Sequence, residues 1–453
     1  MPHRQNAGIL AMRDIIVLTL ILGSLPLCFF RPFFGILMWT VVSLLNPHRF
    51  AWGMAYNFPV ALLVAVPTLI GAALFERGWK YFFSKTVWLI VVLWLWFTLT
   101  SLRNTEMPEF THFAQDTWQR WQEVSKVLLM TLATAGIVNS WYRFRWFLLV
   151  IAGCFGILIL KAVPFMILTG GAFRLYGPPG SMIADNNDFG LALNMTLPIF
   201  FFLASQEPSR RIRRLMGVCF VATIPAIFFT YSRGALIGLA VVLFFMVLRS
   251  RKRVVLVPVL VLAAIFAVFL TPERWQKRMD FRKEGTLVDD SARERLNAWT
   301  YSWRLALDYP LTGGGFEAFT PTLFNRYAPD PRDVHGPHSI YFGVLAEHGF
   351  IGLFLYLLLL ASTFMNLRQV HKYARSWGDE RANNYAFMLQ FSLLAFMISG
   401  AFLGRAYFDY YFTIVACTVI LRRQCQSEQA KALSADLAAP ADSVGSALIT
   451  ANG

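Results

Sequence analysis

Long apolar runs recur along almost the whole chain and limit its fold more than any other feature. Most are roughly 16 to 25 residues long, enough for a helix to cross a hydrocarbon core about 30 Å thick. We count thirteen candidate spans, at residues 14–30, 33–45, 59–75, 86–101, 124–140, 146–168, 187–205, 215–230, 233–249, 254–270, 339–367, 385–402 and 406–421. The sequence therefore predicts an all-α fold, a polytopic helical membrane protein with about 12 transmembrane helices.

The composition excludes a soluble protein of two or three domains. Of the 453 residues, 57% are hydrophobic and only 15% are charged, whereas soluble domains are about 25% charged. The net charge of +15 would suggest a nucleic-acid partner in a soluble protein. Here the basic residues cluster in short loops between spans, as in the cytoplasmic loops of membrane proteins. We therefore expect contact with membrane lipids and no nucleic-acid partner.

Four clusters of basic residues orient the second half of the chain. They are Arg210–Arg214, Arg249–Arg253, Arg368–Arg381 and Arg422–Arg423. All four fall on one side if the spans alternate, and the positive-inside rule makes that side the cytoplasm. Thirteen spans would place the N-terminus outside and twelve would place it inside, and the break in the apolar pattern at Arg31 leaves both counts open.

One polar connection is far longer than the others. It runs from Thr271 to Pro337 and contains ten Lys or Arg and ten Asp or Glu, in contrast to the basic short loops. Alternation of the spans places it on the outer side. Between Arg293 and Leu307 its apolar and aromatic residues recur at helical spacing, which predicts short helices within the loop.

The apolar and polar segments divide the chain into five regions. The tail is rich in Ala and Ser and lacks a periodic apolar pattern, so we expect it to be disordered. The regions are an N-terminal transmembrane region at 1–185, central transmembrane helices at 186–270, the large outer loop at 271–338, C-terminal transmembrane helices at 339–423 and the cytoplasmic tail at 424–453.

Alternation of the spans also brings cationic or titratable side chains from five distant segments to the outer face. They are Arg174, Arg233, Arg295, His338 and Arg405. Arginine binds phosphate oxygens through two parallel hydrogen bonds and stays charged at any relevant pH, and histidine exchanges protons near neutral pH. This set indicates chemistry on an anionic, lipid-linked head group.

Each of these residues also has a purely structural interpretation. Arg233 can extend along the interface to reach water, and His338 can simply begin a helix after a proline. The three other arginines have acidic neighbours in the sequence. The candidate ion pairs are Arg174 with Asp185 or Asp188, Arg295 with Asp289, Asp290 or Glu294, and Arg405 with Asp409.

Four possible metal ligands lie close together in the outer loop. They are Asp330, Asp333, His335 and His338. The prolines and glycines among them indicate an irregular turn, and the spacing differs from that of a zinc-binding helix. We expect no metal and no other cofactor.

The helix predicted after the outer loop carries a carboxylate inside the membrane. At helical spacing His338, Phe342, Leu345 and Gly349 share one face, and Glu347 lies on the opposite face. An ionisable residue at membrane depth costs about 2.5–3 kcal/mol on insertion scales. Glu347 is therefore expected to pair with a residue of a neighbouring helix.

Several motifs in this chain resemble those of the O-antigen ligase and O-antigen polymerase superfamily. They occur in the same order between about residues 185 and 370, as Ser232-Arg-Gly-Ala235, Arg295-Leu-Asn-Ala-Trp299, Pro310-Leu-Thr-Gly-Gly-Gly-Phe316 and His338-Ser-Ile-Tyr through Gly352. The front half is similar to the ligase-like branch that accompanies exosortase systems, the O-glycosylation ligases. The segments concerned are Asn46-Pro-His-Arg49, Gly177-Pro-Pro-Gly-Ser181 and Asp185-Asn-Asn187.

The resemblance implies a glycosyltransferase of the bacterial inner membrane whose large loop and active site face the periplasm. It would transfer a glycan en bloc from undecaprenyl diphosphate to an acceptor hydroxyl, with lipid A–core oligosaccharide as the leading acceptor. His338, Arg295 and Arg233 match the family motifs, whereas Arg174 and Arg405 are added from topology. Chemically, His338 is suited to act as the base and the arginines to bind the diphosphate, in a metal-independent displacement with inversion.

Three alternatives stay open at the level of sequence. An O-antigen polymerase would use a second lipid-linked glycan as the acceptor, and a protein O-glycosylation ligase would use a protein hydroxyl. A transporter of lipid-linked sugars would also need arginines near a diphosphate, but transporters place their binding groups near the midplane and in paired repeats.

Overall fold

The computed structural model describes residues 2–51, 53–76, 84–249 and 290–438, and within them every regular element is a helix. The helices are α1 (Pro2–Phe30), α2 (Pro32–Thr40), α3 (Val60–Phe75), α4 (Lys85–Thr105), α5 (Ala114–Ile137), α6 (Trp141–Leu168), α7 (Asn186–Gln206), α8 (Arg210–Phe228), α9 (Arg233–Arg249), α10 (Asp290–Asp308), α11 (Pro321–Tyr327), α12 (Ile340–Trp377), α13 (Glu380–Gly400) and α14 (Asp409–Ala438). A π-turn (Val41–Leu45) extends α2, and 3-10 turns occupy Pro47–Phe50, Met54–Asn57 and Thr111–Phe113. The predicted all-α class is confirmed for the described residues.

Five of these helices are long and apolar enough to cross a membrane. They are α1 over Met12–Phe30, α4, α6, α7 and α12. Twelve of the thirteen predicted spans coincide with helices, and the remaining one, 254–270, lies outside the described residues. The chain is thus a helical membrane protein, while the count of about 12 spans stays a prediction.

Helix α7 lies at the centre of the bundle. Of its most apolar stretch 83% is buried, against 22% to 56% for the other four long apolar helices. The amide of Asn194 donates to the carbonyl of Ala235 in α9 at 2.7 Å, and Ser392 of α13 donates to Met195 at 2.7 Å. A helix that is apolar around its whole circumference is expected to be enclosed by protein, and its few polar side chains join it to its neighbours.

The connections between helices gather at two ends of the bundle. At the end that carries His338, the amide of Asn104 donates to the carbonyl of Gly313, and Asn186 donates to Thr230. We call this the His338 end. It contains the connections at 46–59, 106–113, 169–185, 229–232, 309–339 and 401–408.

The opposite end carries those residues of the basic clusters that the structure describes. Ion pairs there join the ends of distant helices, between Arg143 and Glu76 at 2.8 Å and between Arg145 and Glu207. The guanidinium of Arg423 also donates to the carbonyl of Ala135 at 2.7 Å. From α1 to α9 and from α12 to α14, consecutive connections therefore alternate between the two ends, as the apolar runs predicted for these parts of the chain.

The described part of the long loop, residues 290–339, folds on a small core of its own. Tyr301 of α10 stacks on Phe324 of α11, with ring centroids 4.2 Å apart. Phe110 and Phe113, from the connection between α4 and α5, complete this core. The prediction of short helices within the loop is confirmed by α10 and α11.

A glycine-rich turn fixes the long loop against a break in α12. Gly314 and Gly315 donate their backbone N–H groups to Ala346 and Glu347, each at 2.8 Å. In the middle of α12, Gly349 has φ +68° and ψ −170°, and a Cβ there would lie 2.6 Å from the backbone of Leu311. Only glycine fits a left-handed position this close to another backbone, so this part of the motif has a structural role.

The predicted helix face containing His338 and Gly349 is wrong. Helix α12 begins at Ile340 with Ser339 as its N-cap, so His338 lies outside it, and Gly349 interrupts it. The break occurs because Phe350 donates its N–H to the carbonyl of Pro310 rather than to the preceding turn.

The predicted disordered tail is also wrong in its first part. Helix α14 continues to Ala438, well beyond the end of the predicted span at residue 421. Within the extension, Glu428 accepts a hydrogen bond from the indole of Trp141 at 2.6 Å. Residues 439–453 lie outside the described residues.

Candidate functional site

His338 and Arg295 are brought together by the docking of α10 on the segment before α12. The indole N–H of Trp299 donates to the carbonyl of Pro337 at 2.9 Å, and its ring stacks on Phe342 with centroids 5.1 Å apart. Arg295 lies one turn before Trp299 on the same face of α10. Its guanidinium donates to the backbone and side-chain oxygens of Ser291, at 3.1 and 2.8 Å. This geometry places the Arg295 charge beside the imidazole.

The backbone of His338 is held in an uncommon conformation. Its φ of +43° lies in the left-handed region, which costs a non-glycine residue of order 1–3 kcal/mol. The preceding Pro337 is wedged in place, since a Cβ at Gly343 or Gly404 would lie 3.1 or 3.5 Å from its ring. Ser339 then caps α12 by accepting from the N–H of Tyr341. The half-buried imidazole is therefore fixed by its surroundings.

The surroundings of His338 favour the neutral imidazole. Burial lowers the pKa of His338 below its ordinary value, and the positive charge of Arg295 and the neighbouring His335 lower it further, while Asp185 acts in the opposite direction. At neutral pH the ring is uncharged, so it can accept a proton from a hydroxyl group.

Arg233 begins α9 directly after a tightly fixed turn. The hydroxyl of Tyr231 donates to the carbonyl of Gly171 at 2.6 Å, and the hydroxyl of Ser232 accepts from the N–H of Ala235. A Cβ at Gly234 would lie 3.3 Å from Phe402, so the turn packs against the segment that leads to Arg405. The half-buried Arg233 thus lies at the His338 end, held by contacts on both sides of its turn.

Arg405 forms an ion pair with Asp188 of α7, with an N–O distance of 2.7 Å. The predicted pairing of Arg405 with Asp409 is therefore wrong, because the ion-pair partner lies on another helix. The side chain of Arg405 stays 28% exposed, so part of its guanidinium faces outward. The adjacent Gly404 packs on Pro337, with a Cβ position 3.6 Å from the N atom of His338.

Arg174 lies in the connection between α6 and α7. Its side chain is exposed, and it forms no hydrogen bond or ion pair within the described ranges. Its neighbour Leu175 donates to the carbonyl of Phe229 at 2.9 Å, which attaches the loop to the base of the Arg233 turn. The alternative pairing of Arg174 with Asp185 or Asp188 is not found among the described residues, and the ion-pair partner of Asp188 is Arg405.

Glu347 has hydrogen-bond partners from two connections between helices, rather than from the neighbouring helix that the sequence predicted. The hydroxyl of Tyr407 donates to one carboxylate oxygen at 2.6 Å, and the N–H of Glu317 donates to the other at 3.0 Å. The guanidinium of Arg120 lies 3.6 Å from the Glu317 carboxylate. This network joins the broken helix α12 to the glycine-rich turn and to α5.

A second cluster of potential metal ligands lies beside His338. Glu294, Asp333 and His335 have ligand atoms within 4.8 Å of one another. This set shares Asp333 and His335 with the one considered in the sequence, and it contains Glu294 in place of Asp330 and His338. The expectation of no metal stays a prediction.

Sequence reasoning missed a polar cavity at the His338 end. It has a volume of about 520 Å³ and is lined by His48, Arg49, Arg120, Lys126 and Arg405, among others. In the sequence, the Asn46-Pro-His-Arg49 motif supports only the family resemblance and predicts no role for its side chains. Arg120 and Lys126 carried no signal, because a charge near a helix start is common.

The part of the chain that carries His338, Arg295 and Arg233 is similar to a known family. Residues 218–357 match the family model described as O-antigen ligase. This stretch, about a third of the chain, is similar to O-antigen ligases, and we call it the O-antigen ligase domain. This confirms the resemblance to the superfamily, and the matched segment includes Arg233, Arg295 and His338 but neither Arg174 nor Arg405.

The remaining comparisons add a second family. Residues 12–205 match a family model described as a family of unknown function (DUF5935). A search of curated proteins finds no match to the chain. The O-antigen ligase domain, together with the apolar helices, supports a membrane enzyme of the glycosyltransferase-like ligase or polymerase type.

Proposed function

We propose that this protein is an O-antigen ligase-type glycosyltransferase that moves a glycan en bloc from undecaprenyl diphosphate to an acceptor hydroxyl. The observation that carries the proposal is the contact of α10 with the segment before α12, which places Arg295 beside a neutral His338 inside the O-antigen ligase domain. A base next to a phosphate-binding cation is the pair of groups that this displacement needs.

Arginines would hold the diphosphate leaving group. Its negative charge grows as the glycosidic C–O bond breaks, so cations fixed beside it favour the transition state over the ground state. We assign this role to Arg233 and Arg295, with help from Arg405 and Arg174. Only part of the Arg405 charge is available for the diphosphate, because Asp188 neutralises much of it.

His338 would remove the proton from the acceptor hydroxyl as the new glycosidic bond forms. The lowered pKa keeps the ring unprotonated at neutral pH, and its uncommon backbone conformation fixes its direction. The attack proceeds in line with the departing diphosphate, so the anomeric centre is inverted, and the arginines neutralise charge without a metal.

The distribution of charge supports an orientation with the His338 end in the periplasm. The described basic residues of the four clusters, Arg210–Arg214, Arg249, Arg368–Arg381 and Arg422–Arg423, lie towards the opposite end, which the positive-inside rule places in the cytoplasm. With about 12 spans the chain is then a multi-pass protein of the inner membrane.

The acceptor that we propose is lipid A–core oligosaccharide, in the assembly of lipopolysaccharide. A second lipid-linked glycan would make the protein a polymerase, and a protein hydroxyl would make it an O-glycosylation ligase. The donor and the chemistry are common to all three, so the identity of the product separates them.

The decisive experiment is a transfer assay with purified protein, metal chelator and an undecaprenyl-diphosphate glycan. Each of the three acceptors is offered separately to the wild type, to His338→Ala and to His112→Ala, whose imidazole is exposed at the same end. We expect transfer to lipid A–core, a loss of about 10²–10⁴-fold in His338→Ala, and wild-type rates in His112→Ala. Near-normal transfer by His338→Ala would refute the assignment of the base, and transfer to none of the acceptors would refute the proposed function.

A further inference from the structure

The polar cavity at the His338 end lies beside the ligase domain rather than within it. Its walls come from residues 39–62, the first turns of α5, the loop at 180–182 and the two residues Arg405 and Asp409. All of these except the last two belong to the segment that matches the family of unknown function. The O-antigen ligase match therefore assigns no role to this cavity.

Two of the four cations that line the cavity are neutralised by carboxylates. Arg120 forms an ion pair with Glu123 at 2.7 Å, and Arg405 forms one with Asp188 at 2.7 Å. These two pairs leave little positive charge for a ligand at Arg120 and Arg405. The other two cations are Arg49 and Lys126.

Arg49 and Lys126 form no ion pair within the part of the chain that the structure describes. The Arg49 guanidinium lies over the ring of Tyr56, 4.6 Å from its centroid, which fixes its plane. Its Nε is buried and has no hydrogen-bond partner among the described residues. A fixed arginine and a lysine without counter-charges make the cavity selective for an anion.

His48 adds an unsatisfied polar atom to the same wall. The side chain is only 7% exposed, and its Nδ1 is buried with no hydrogen-bond partner among the described residues. Burial, and then the charge of Arg49, lower the pKa of His48 to about 4, so the ring is neutral at pH 7. Buried polar atoms normally have partners, and a neutral imidazole can hydrogen-bond a sugar hydroxyl.

Two carboxylates line the cavity, Glu123 and Asp409, and both have other partners. Glu123 forms the ion pair with Arg120. Asp409 accepts hydrogen bonds from the hydroxyl of Ser43 and from the N–H of Tyr410. Trp39 and Phe58 provide aromatic lining. The volume of about 520 Å³ falls within the range of small-molecule sites, roughly 300–1,000 Å³, and accommodates a sugar ring with a charged substituent.

The cavity is connected to the candidate base through the segment 404–405. Arg405 lines it, and the adjacent Gly404 packs on Pro337 and His338. If the ligase-domain arginines hold the donor diphosphate, a sugar anchored in the cavity has its hydroxyl groups on the His338 side. The acceptor is the substrate whose hydroxyl must reach that residue.

We propose that this cavity binds an acidic sugar residue, one that carries a carboxylate or a phosphate, in the acceptor glycan. The assignment to the acceptor rests on the proposed function, whereas the anion selectivity rests on the cavity alone. Arg49 and Lys126 bind the acidic group, and His48 hydrogen-bonds the ring.

Binding is tested on the purified full chain with three probes, galacturonate, glucose 6-phosphate and neutral glucose, by calorimetry at low salt. We expect both acidic sugars to bind at least tenfold more tightly than glucose. Arg49→Gln and Lys126→Gln should each weaken acidic-sugar binding by about tenfold to a hundredfold, as for the loss of a charge-assisted hydrogen bond, and Arg49→Lys should retain part of it. Arg103→Gln, which changes an exposed arginine at the same end, serves as the control. Equal binding of glucose and the acidic sugars, or unchanged affinity in Arg49→Gln, would overturn the proposal.

The transfer assay then separates acceptor from donor. With an acceptor glycan that retains its acidic groups, Arg49→Gln should raise the acceptor KM about tenfold or more and leave kcat and the donor KM unchanged. With an acceptor stripped of those groups, wild type and variant should behave alike. An increase in the donor KM instead would overturn the acceptor assignment. Sugar binding should be unchanged in His338→Ala, because His338 does not line the cavity. A protein that binds acidic sugars but transfers no glycan would therefore refute the proposed function and uphold the anion site.

Discussion

Trp299 is expected to position the two central residues of the site without contacting substrate. Its indole joins α10, which carries Arg295, to the segment that carries His338, through one hydrogen bond of 2.9 Å and one stacked ring pair. Replacing it by Phe removes the hydrogen bond to Pro337 and keeps an aromatic ring on Phe342. Replacing it by Ala removes both contacts.

The magnitudes follow from these two contacts. A lost hydrogen bond costs about 1 kcal/mol, which corresponds to about fivefold in rate if the docked arrangement is the active one. The aromatic pair adds about 1 kcal/mol. We therefore expect kcat to fall about fivefold in Trp299→Phe and about 30-fold in Trp299→Ala, with a smaller change in the donor KM.

The assay is single-turnover glycan transfer together with thermal unfolding, and Trp303→Ala is the matched control. Trp303 lies one turn further along α10, is 48% exposed, and meets only the edge of Phe350 at 5.6 Å. It should change unfolding slightly and transfer hardly at all. If Trp299→Ala transferred at the wild-type rate, or if Trp303→Ala were equally slow, the docking of α10 would not position the site.

Two further predictions concern His338 and the broken helix. Burial and then the charge of Arg295 lower the pKa of His338. Arg295→Gln should therefore raise that pKa and move the acid limb of the kcat/KM profile to higher pH. An acid limb that stays in place or moves to lower pH would contradict this. Gly349→Ala should lower the unfolding midpoint, because a left-handed φ costs about 1–2 kcal/mol and its Cβ would lie 2.6 Å from Leu311. Gly336→Ala, where a Cβ meets nothing within 4 Å, should leave the midpoint unchanged, and equal effects would refute the account.

The helices could be predicted from the sequence because apolar runs of this length have few other structures available in a membrane. The break in α12 could not be predicted from the sequence. Gly349 lies within an apolar run that reads as one helix, and glycine is tolerated in such helices. What breaks the helix is a tertiary contact, the hydrogen bond from Phe350 to Pro310, between residues 40 positions apart in the chain.

The ion-pair partners of the site residues could not be predicted from the sequence either. Spacing of i, i+4 suggested that Arg405 pairs with Asp409, but α14 begins only at Asp409, so that spacing has no helix to act on. The carboxylate that Arg405 meets is Asp188, at the start of α7. Local rules pair residues within an element, and they fail where a charge lies in a connection whose neighbours come from other helices.

The site therefore joins two parts of the chain that sequence motifs treat separately. The ligase domain supplies Arg233, Arg295 and His338, to which we assign the diphosphate of the donor and the reacting hydroxyl of the acceptor. The N-terminal segment supplies His48 and Arg49, which line the cavity that we propose as the site of the acceptor sugar. The two parts meet where residues 404–405 pack on Pro337. An enzyme built in this way can change its acceptor by substitutions in the first 62 residues while the residues that hold the diphosphate stay the same.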